Sequence, residues 1–302
     1  MVSGAVRREA QTFAGRSALV RYANLVKLPH TLFALPFALV GVVLASYVKG
    51  VTLGTIVLVA LAFSSARFAA MAFNRIVDRR HDAINPRTAR REIPTGAIGV
   101  RQASVAVAIA SAVFIASAWR LNPICFALSP LALLWVLGYS YTKRFTSGSH
   151  VVLGLGLGIA PVGGYLAVTG AWSDPWWMLP VLAIAVMTWV AGFDVLYALQ
   201  DVGFDRTTGL HSIPAAVGER RAILIARALH TTTVVALAVV GAGIEGGWLY
   251  WIGVSVVAAL LVYEHSLVRA GDLSRLDAAF FTMNGIISIA FFGFVLAERL
   301  AR

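Results

Sequence analysis

The chain has 302 residues, of which 59% are hydrophobic and 13% are charged, and its formal net charge is +11. A soluble domain of that length cannot bury so much apolar surface, so the composition predicts an integral membrane protein. The positive charge does not indicate nucleic-acid binding, because most basic residues lie in short connections between apolar runs, where membrane topology explains them. The single cysteine, Cys125, excludes a disulfide framework or a thiolate metal site within one chain.

In chain order, an N-terminal segment over residues 1–27 precedes nine apolar runs. The segment carries several arginines and is typical of an amphipathic helix at the membrane surface. The runs approach or exceed the roughly 18 to 20 residues that a spanning helix needs. We predict spans over 28–48, 52–73, 103–121, 123–141, 151–170, 176–199, 222–243, 247–265 and 278–297. The expected fold is an all-α membrane protein, a single domain over residues 1–302 in which nine transmembrane helices form a bundle capped by loops or short helices.

Lysine and arginine are distributed unevenly between the two sides of this bundle. Most of them lie in the N-terminal segment and in alternate connections, including the long ones after the second and sixth spans. Because positive residues favour the cytoplasmic side, we expect the N-terminus and both long connections to face the cytoplasm from a bacterial-type inner membrane.

A polar motif follows the second predicted span. Asn74, Asp78 and Asp82 recur every four residues, so a helix that continues past the span places all three on one face. Acidic side chains at the mouth of an apolar bundle are costly unless they have a partner. The motif is therefore a candidate binding site for a cation.

A second motif with the same spacing follows the sixth predicted span. Tyr197, Asp201 and Asp205 each stand 123 positions after their counterparts in the first motif. Both copies continue to an Arg-Thr pair, an Ile-Pro pair and a nearby glycine. We interpret this as an internal pseudo-repeat that makes two pairs of carboxylates face each other at one end of the bundle.

The four aspartates suit hard divalent cations. Carboxylates gathered at one cavity repel one another unless cations neutralise them. Oxygen ligands select Mg²⁺, which keeps several waters and is commonly held by one or two carboxylates together with substrate phosphates. We predict that Asn74, Asp78, Asp82, Asp201 and Asp205 hold Mg²⁺ ions that bridge a diphosphate. The sequence offers no His/Cys cluster suited to zinc.

Basic and aromatic residues at the same end complete the expected site. Arg79, Lys143 and Arg144 lie beside the aspartates or at the mouth of a span, where they can neutralise a leaving diphosphate. An apolar interior suits a long allylic hydrocarbon chain, whose cation after C–O cleavage is shielded from water and stabilised by aromatic rings. Three residues are candidates to line that pocket, each with an interfacial role as the alternative: Tyr139, Tyr141 and Tyr197.

Two further residues are candidate substrate contacts. Asp194 lies within the sixth predicted span, where an acid either serves function or bonds to a neighbouring helix. His30, at the mouth of the first span, either bonds a phenol or carboxylate of the substrate or caps the membrane interface. The remaining titratable residues at span ends and in loops are expected to be solvated: His81, His150, His211, Glu264 and His265.

In combination, three segments resemble the UbiA superfamily of intramembrane aromatic prenyltransferases. They are the motif from Asn74 to Asp82, the segment Tyr-Ser-Tyr-Thr-Lys-Arg-Phe-Thr that begins at Tyr139, and the motif from Tyr197 to Asp205. The resemblance covers nearly the whole chain. It implies nine helices around a central cavity and Mg²⁺-dependent transfer of a polyprenyl group to an aromatic ring in quinone or prenyl-lipid synthesis. It also implies that the Asn and Asp residues bind the Mg²⁺ diphosphate and that Lys143 and Arg144 lie near diphosphate and acceptor.

The chain departs from the family pattern at two places. Many members have an acid directly after the asparagine of the first motif, where this chain has Arg75. Ubiquinone-type members commonly have an arginine near Pro-Ile-Gly, where this chain has Lys27 to His30. The resemblance therefore leaves two acceptors open, 4-hydroxybenzoate and the 1,4-dihydroxy-6-naphthoate of the futalosine route to menaquinone. Chain length and oligomeric state are left open too, and no feature indicates an obligate protein partner.

Other functions are also compatible with parts of the pattern. An enzyme similar to haem O synthase would share fold and metals but transfer farnesyl to haem. A cation or proton carrier would use the aspartates as ion ligands, and internal repeats are common in carriers. Against a carrier, the acids lie at the ends of the spans and the arginines suit phosphate. A structural bundle with solvated loops does not explain the shared offset of the two motifs.

Overall fold

The computed structural model describes residues 13–15, 17–273, 275–276 and 282–302, with the side chains of residues 30, 32 and 33 left out. Twelve α-helices and two short 3₁₀ segments cover most of these residues, and no strand occurs among them. The α-helices are α1 Ala18–Leu25, α2 Leu28–Ala45, α3 Leu53–Ile84, α4 Val100–Leu121, α5 Pro123–Gly138, α6 Ser149–Thr169, α7 Met178–Ala198, α8 Val202–Thr208, α9 Ile213–Val217, α10 Glu219–Gly243, α11 Trp248–Ser266 and α12 Asn284–Ala301. The all-α prediction is confirmed.

The long helices match the predicted spans closely. Within the described residues, eight helices are long and apolar enough to cross a membrane, and a shorter apolar helix covers Ala34–Ala45 in α2. The count of nine spanning helices therefore stays a prediction. The ninth predicted span began at residue 278, outside the described residues, whereas α12 begins at Asn284.

The first polar motif lies on a continuous helix, as predicted. α3 runs for 32 residues and carries Asn74, Asp78 and Asp82 on its last three turns. It ends at Ile84, and Asn85, which precedes a proline, adopts the extended backbone expected before that residue.

The second motif is built differently. α7 ends at Ala198, a 3₁₀ turn covers Leu199–Asp201, and α8 carries Asp205. The short caps also differ between the two halves. The connection after α8 contains the short helix α9, whereas the connection over residues 85–99 consists of turns, so one half has a helical cap and the other a loop.

Helix α6 packs closely against both α2 and α7. A Cβ atom at Gly158 would lie 2.6 Å from the backbone oxygen of Ala183 on α7. A Cβ atom at Gly154 would meet the backbone of α7 at Met187, and one at Gly164 would meet α2 at Ala38. Small residues let membrane helices approach to this distance. The contact fixes α6 and α7, which both line the cavity described below.

Candidate active site

Both polar motifs line one cavity at the same end of the bundle. The cavity has a volume of about 240 Å³, and its wall includes all five residues predicted to hold metal: Asn74, Asp78, Asp82, Asp201 and Asp205. Lys143, Tyr139, Tyr197 and Asp194 line it as well. We call it the polar cavity. The structure thus brings the two halves of the pseudo-repeat together.

The contacts of Asp78 are weak enough to leave it available to a ligand. Its Oδ2 accepts a hydrogen bond from the side-chain amide of Asn74 at 2.9 Å. Its Oδ1 lies 3.8 Å from a guanidinium nitrogen of Arg144, which donates instead to the backbone oxygen of Val77 at 2.9 Å. Asn74 therefore orients the carboxylate while one oxygen faces a distant cation.

Asp82 is held by an arginine from the connection after α3. Arg91 Nη1 lies 2.6 Å from Asp82 Oδ1, and the two side chains are 15% and 8% exposed. The other oxygen, Oδ2, is buried and accepts no hydrogen bond among the described residues. Such an orphaned carboxylate oxygen is a ready ligand for a cation.

Asp201 is held by a second arginine from the same connection. Arg87 Nε lies 2.9 Å from Asp201 Oδ1, and Arg87 Nη2 lies 2.6 Å from Oδ2. The guanidinium of Arg87 also lies 5.5 Å from the ring centre of Tyr197. Burial lowers the pKa of Arg87, but the charge of Asp201 and its hydrogen bonds outweigh burial and raise that pKa. Arg87 is therefore charged, and the contact is a bidentate ion pair.

Asp205 is bonded to the connection between α8 and α9, which forms the cap of the second half. The hydroxyl of Ser212 donates to Asp205 Oδ2 at 2.7 Å. The backbone N–H of His211 donates to the carbonyl oxygen of Lys143, also at 2.7 Å. The cap is thus tied to α8 and to the 3₁₀ segment Tyr139–Arg144. This brings Lys143 to the cavity wall near both motifs.

The donors fit Mg²⁺ bound together with a phosphate ligand. They are carboxylate and amide oxygens, the ligands that Mg²⁺ prefers, and Asp82 Oδ2 lacks a partner among the described residues. Within the part of the chain that the structure describes, no three His, Cys, Asp or Glu side chains come close enough to form a metal cage. The aspartates could thus supply one or two ligands to an ion, and phosphate oxygens and water would supply the others.

Asp194 and His150 form a buried pair beside the aspartates. His150 is fully buried, its Nδ1 lies 2.6 Å from Asp194 Oδ2, and its Nε2 accepts a hydrogen bond from the N–H of Ile213 at 3.3 Å. Nδ1 is therefore the nitrogen that carries the hydrogen, and its N–H donates a hydrogen bond to Asp194 Oδ2. The expectation that His150 is solvated is wrong, because α6, α7 and α9 enclose it. Glu264 was also expected to be solvated and is 1% exposed, since α11 packs against α10 and α12.

Three predicted site residues are not on the described wall of the polar cavity: Tyr141, Arg79 and Arg144. Tyr141 is 42% exposed and packs edge-on against Phe73 and under the guanidinium of Arg144. The side chain of Arg79 donates to the backbone oxygen of Ile76 at 2.7 Å and is not part of the cavity wall. The prediction that Tyr141 lines the pocket is wrong, because its place on the 3₁₀ segment leaves it exposed. The contact of Arg79 and Arg144 with a diphosphate stays a prediction. The side chain of His30 lies outside the described side chains.

Sequence reasoning missed Arg67, which lies seven residues before Asn74 on α3. Its Nε is buried and makes no hydrogen bond within the described residues. Arg67 and Tyr139 line both the polar cavity and a second, apolar cavity of about 200 Å³ between α2, α3, α4, α5 and α6. An arginine inside a predicted span is a functional candidate by default, so the signal was present in the sequence.

Arg75 also has a defined place. It is 6% exposed, and its Nε donates to the backbone oxygen of Leu25, the last residue of α1, at 3.3 Å. Arg75 therefore links the N-terminal helix α1 to α3. This is the position at which many family members have an acid. A positive charge near the C-terminal carbonyls of a helix is also favourable.

Comparison with known proteins identifies the family. A model of the UbiA prenyltransferase family matches residues 34–286. Two curated relatives named 4-hydroxybenzoate octaprenyltransferase come from Tolumonas auensis (29% identical over 273 residues, 88% of this chain and 89% of that protein) and Methylobacillus flagellatus (28% over 232 residues, 77% of each).

Solved structures agree with this result. The apo structure of a UbiA homolog from Aeropyrum pernix K1 is 33% identical, covers 89% of this chain and 98% of its own, and has a TM-score of 0.82. The structure of a UbiA homolog from Archaeoglobus fulgidus bound to GPP and Mg²⁺ is 22% identical in sequence, and the match covers 93% of this chain and 99% of that one. Its TM-score of 0.71 shows that the two share a fold. The resemblance predicted from the motifs is confirmed: the chain belongs to the UbiA prenyltransferase family.

Proposed function

We propose that the protein transfers a polyprenyl group from an allylic diphosphate to a ring carbon of a small aromatic carboxylate, with Mg²⁺ as the cofactor. The observation that carries the proposal is the junction of two cavities. A polar cavity that contains both aspartate motifs meets an apolar cavity at Arg67 and Tyr139. Relatives named 4-hydroxybenzoate octaprenyltransferase support the same reaction class.

The polar cavity suits the diphosphate. Asn74, Asp78, Asp82, Asp201 and Asp205 would hold Mg²⁺, which supplies positive charge that stabilises the diphosphate as it leaves. Lys143, on the cavity wall, donates to phosphate oxygens. Cleavage of the C–O bond moves its electron pair to the diphosphate and leaves an allylic cation.

The apolar cavity suits the hydrocarbon chain. Its wall is made almost wholly of aliphatic and aromatic side chains from α2 to α6, so a prenyl chain within it is removed from water. Tyr139 lines both cavities, so a diphosphate bound in one and a prenyl chain bound in the other would bring the carbon that becomes cationic close to it. Its ring face stabilises that carbon, and the surrounding apolar wall excludes water that would otherwise capture the cation.

Arg67 is the anchor that we assign to the acceptor. A buried guanidinium nitrogen without a hydrogen-bond partner is costly, and a carboxylate ligand removes that cost. Both 4-hydroxybenzoate and 1,4-dihydroxy-6-naphthoate carry a carboxylate, so Arg67 suits either acceptor. A ring carbon of the anchored acceptor attacks the allylic cation and forms the new C–C bond.

Asp194 is placed to receive the ring proton. It is the one carboxylate outside the two motifs on the described wall of the polar cavity, and its side chain is 19% exposed. His150 holds its Oδ2, which leaves Oδ1 for the substrate. Loss of the proton restores the aromatic ring. The uneven distribution of basic residues supports a cytoplasmic position for this end of the bundle.

The reaction is tested with purified protein, Mg²⁺, a polyprenyl diphosphate and either aromatic acid. We expect a product whose mass equals the acceptor plus the prenyl group minus one hydrogen, and no product when EDTA removes the metal. Phenol, which lacks the carboxylate, serves as the matched acceptor and is expected to react poorly. Failure of both acids to gain a prenyl group, while the protein remains folded, would contradict the proposal.

A further inference from the structure

Two arginines occupy carboxylates that the proposed metal ions require. Arg87 contacts both oxygens of Asp201, at 2.9 and 2.6 Å, and Arg91 contacts one oxygen of Asp82 at 2.6 Å. Both arginines come from the connection over residues 85–99, which follows the first motif. Arg87 thus links that connection to the second motif, in the other half of the pseudo-repeat.

The ion pair of Arg87 with Asp201 is held by several hydrogen bonds and is shielded from solvent. The two side chains are 11% and 15% exposed. The amide of Asn85 also donates to Asp201 Oδ1 at 3.3 Å, and Asn85 Oδ1 accepts from the backbone N–H of Arg87 at 2.9 Å. Arg87 Nη1 lies 3.4 Å from the hydroxyl of Tyr197. Together these contacts hold the guanidinium over one carboxylate.

The other acid of each motif has no such arginine among the described residues. Asp78 lies 3.8 Å from Arg144, and Asp205 accepts from the hydroxyl of Ser212. Among the described residues, each motif therefore has one carboxylate in close contact with an arginine, at 2.6 Å, and one without such a close contact.

A metal ion and Arg87 compete for the same oxygens of Asp201. If an ion alone displaced the guanidinium, a buried positive charge would lose its partner, which is strongly unfavourable. A diphosphate changes this balance, because its oxygens accept the same bidentate hydrogen bonds as a carboxylate. Binding of the diphosphate therefore lowers the cost of placing a metal on Asp201.

We propose that Arg87 is an internal cation that occupies Asp201 in the unliganded enzyme and makes metal binding conditional on the diphosphate. Arg91 does the same at one oxygen of Asp82. When diphosphate binds, each guanidinium moves from carboxylate to phosphate, and the released carboxylates take metal. The inference rests on the proposed diphosphate site. It predicts positive coupling between the two ligands, which by linkage acts equally in both directions.

The coupling is measured as the dissociation constant of Mn²⁺, read from the electron paramagnetic resonance signal of free Mn²⁺, with and without inorganic pyrophosphate. In the wild-type full chain we expect pyrophosphate to tighten Mn²⁺ binding about tenfold, within the usual range for coupled ligands. Arg87→Gln is expected to tighten binding of Mn²⁺ alone by a similar factor and to weaken pyrophosphate binding, so that only the part of the coupling that Arg91 supplies is left. Arg90→Gln removes the same charge from an exposed position of the same connection and is expected to match the wild type.

Two further variants keep the test decisive if Arg87→Gln does not fold. Arg87→Lys retains the positive charge but cannot form the bidentate hydrogen bonds of a guanidinium, and it is expected to reduce the coupling. Arg91→Gln is expected to tighten Mn²⁺ binding at Asp82. Unchanged or weaker Mn²⁺ binding in folded Arg87→Gln and Arg91→Gln would overturn the inference, even if the wild type prenylates an aromatic acid. The opposite outcome is also informative. If Arg87→Gln reduces the coupling but the wild type prenylates neither acid, the result would support the exchange of Arg87 and contradict the proposed function.

Discussion

Asp78→Asn and Asp205→Asn are each expected to lower kcat at least about 100-fold, the usual cost of losing one charge-stabilising contact in the transition state. Each change replaces a charged ligand with a neutral amide of nearly the same shape. Neither acid is paired with an arginine at close range among the described residues, since Asp78 bonds Asn74 and Asp205 bonds Ser212. The variants should therefore fold, and the loss should lie in the reaction itself.

The measurement is the initial rate of product formation at saturating concentrations of both substrates. Asp174→Asn, an exposed acid before α7 at the opposite end of the bundle, is the matched control and is expected to retain the wild-type rate. Size-exclusion chromatography in detergent shows whether each variant is folded. Full turnover by both Asp78→Asn and Asp205→Asn would remove these acids from the mechanism.

Arg67→Met is expected to raise KM for the aromatic acid about 10- to 100-fold, because a charged hydrogen bond is worth about 1.5 to 3 kcal/mol. Methionine is apolar and adapts to the space that the arginine leaves, so the apolar cavity should persist. The KM for the polyprenyl diphosphate should change little. The comparison of the two KM values separates acceptor binding from a general loss of structure.

The acceptor without a carboxylate supplies the second control for Arg67. Arg67→Met and the wild type are expected to use phenol equally poorly, whereas Arg67→Lys should recover part of the affinity for the acid. Arg101→Met, at an exposed position of α4, should leave both KM values unchanged. An unchanged KM for the acid in folded Arg67→Met would show that another residue holds the carboxylate.

The spans and the first motif could be predicted from sequence because they depend on local patterns. Apolar runs set the helix bounds within a few residues, and the four-residue spacing of Asn74, Asp78 and Asp82 indicates one helix face. The second motif has the same spacing but passes through a 3₁₀ turn at Asp201. Spacing alone does not distinguish a continuous helix from one that tightens at its end.

The ion pairs of the site could not be predicted, because they depend on contacts between distant segments. Arg87 and Asp201 are 114 residues apart, and His150 and Asp194 are 44 apart. Glu264 and His150 stand at span ends, where sequence favours solvent, but neighbouring helices bury both. Arg67 differs from these cases, because its place within an apolar run is visible in the sequence. Only the structure shows that its Nε has no hydrogen-bond partner among the described residues.

The most direct test of the central claim is a structure of the protein with Mn²⁺ and an unreactive prenyl thiodiphosphate, with Mn²⁺ located by anomalous scattering. We expect metal peaks in the polar cavity, one coordinated by the Asp78 and Asp82 motif and one by the Asp201 and Asp205 motif, with the diphosphate between them. Arg87 should have left Asp201 for a phosphate oxygen. Metal peaks confined to other parts of the protein, or a diphosphate bound away from both motifs, would contradict the account.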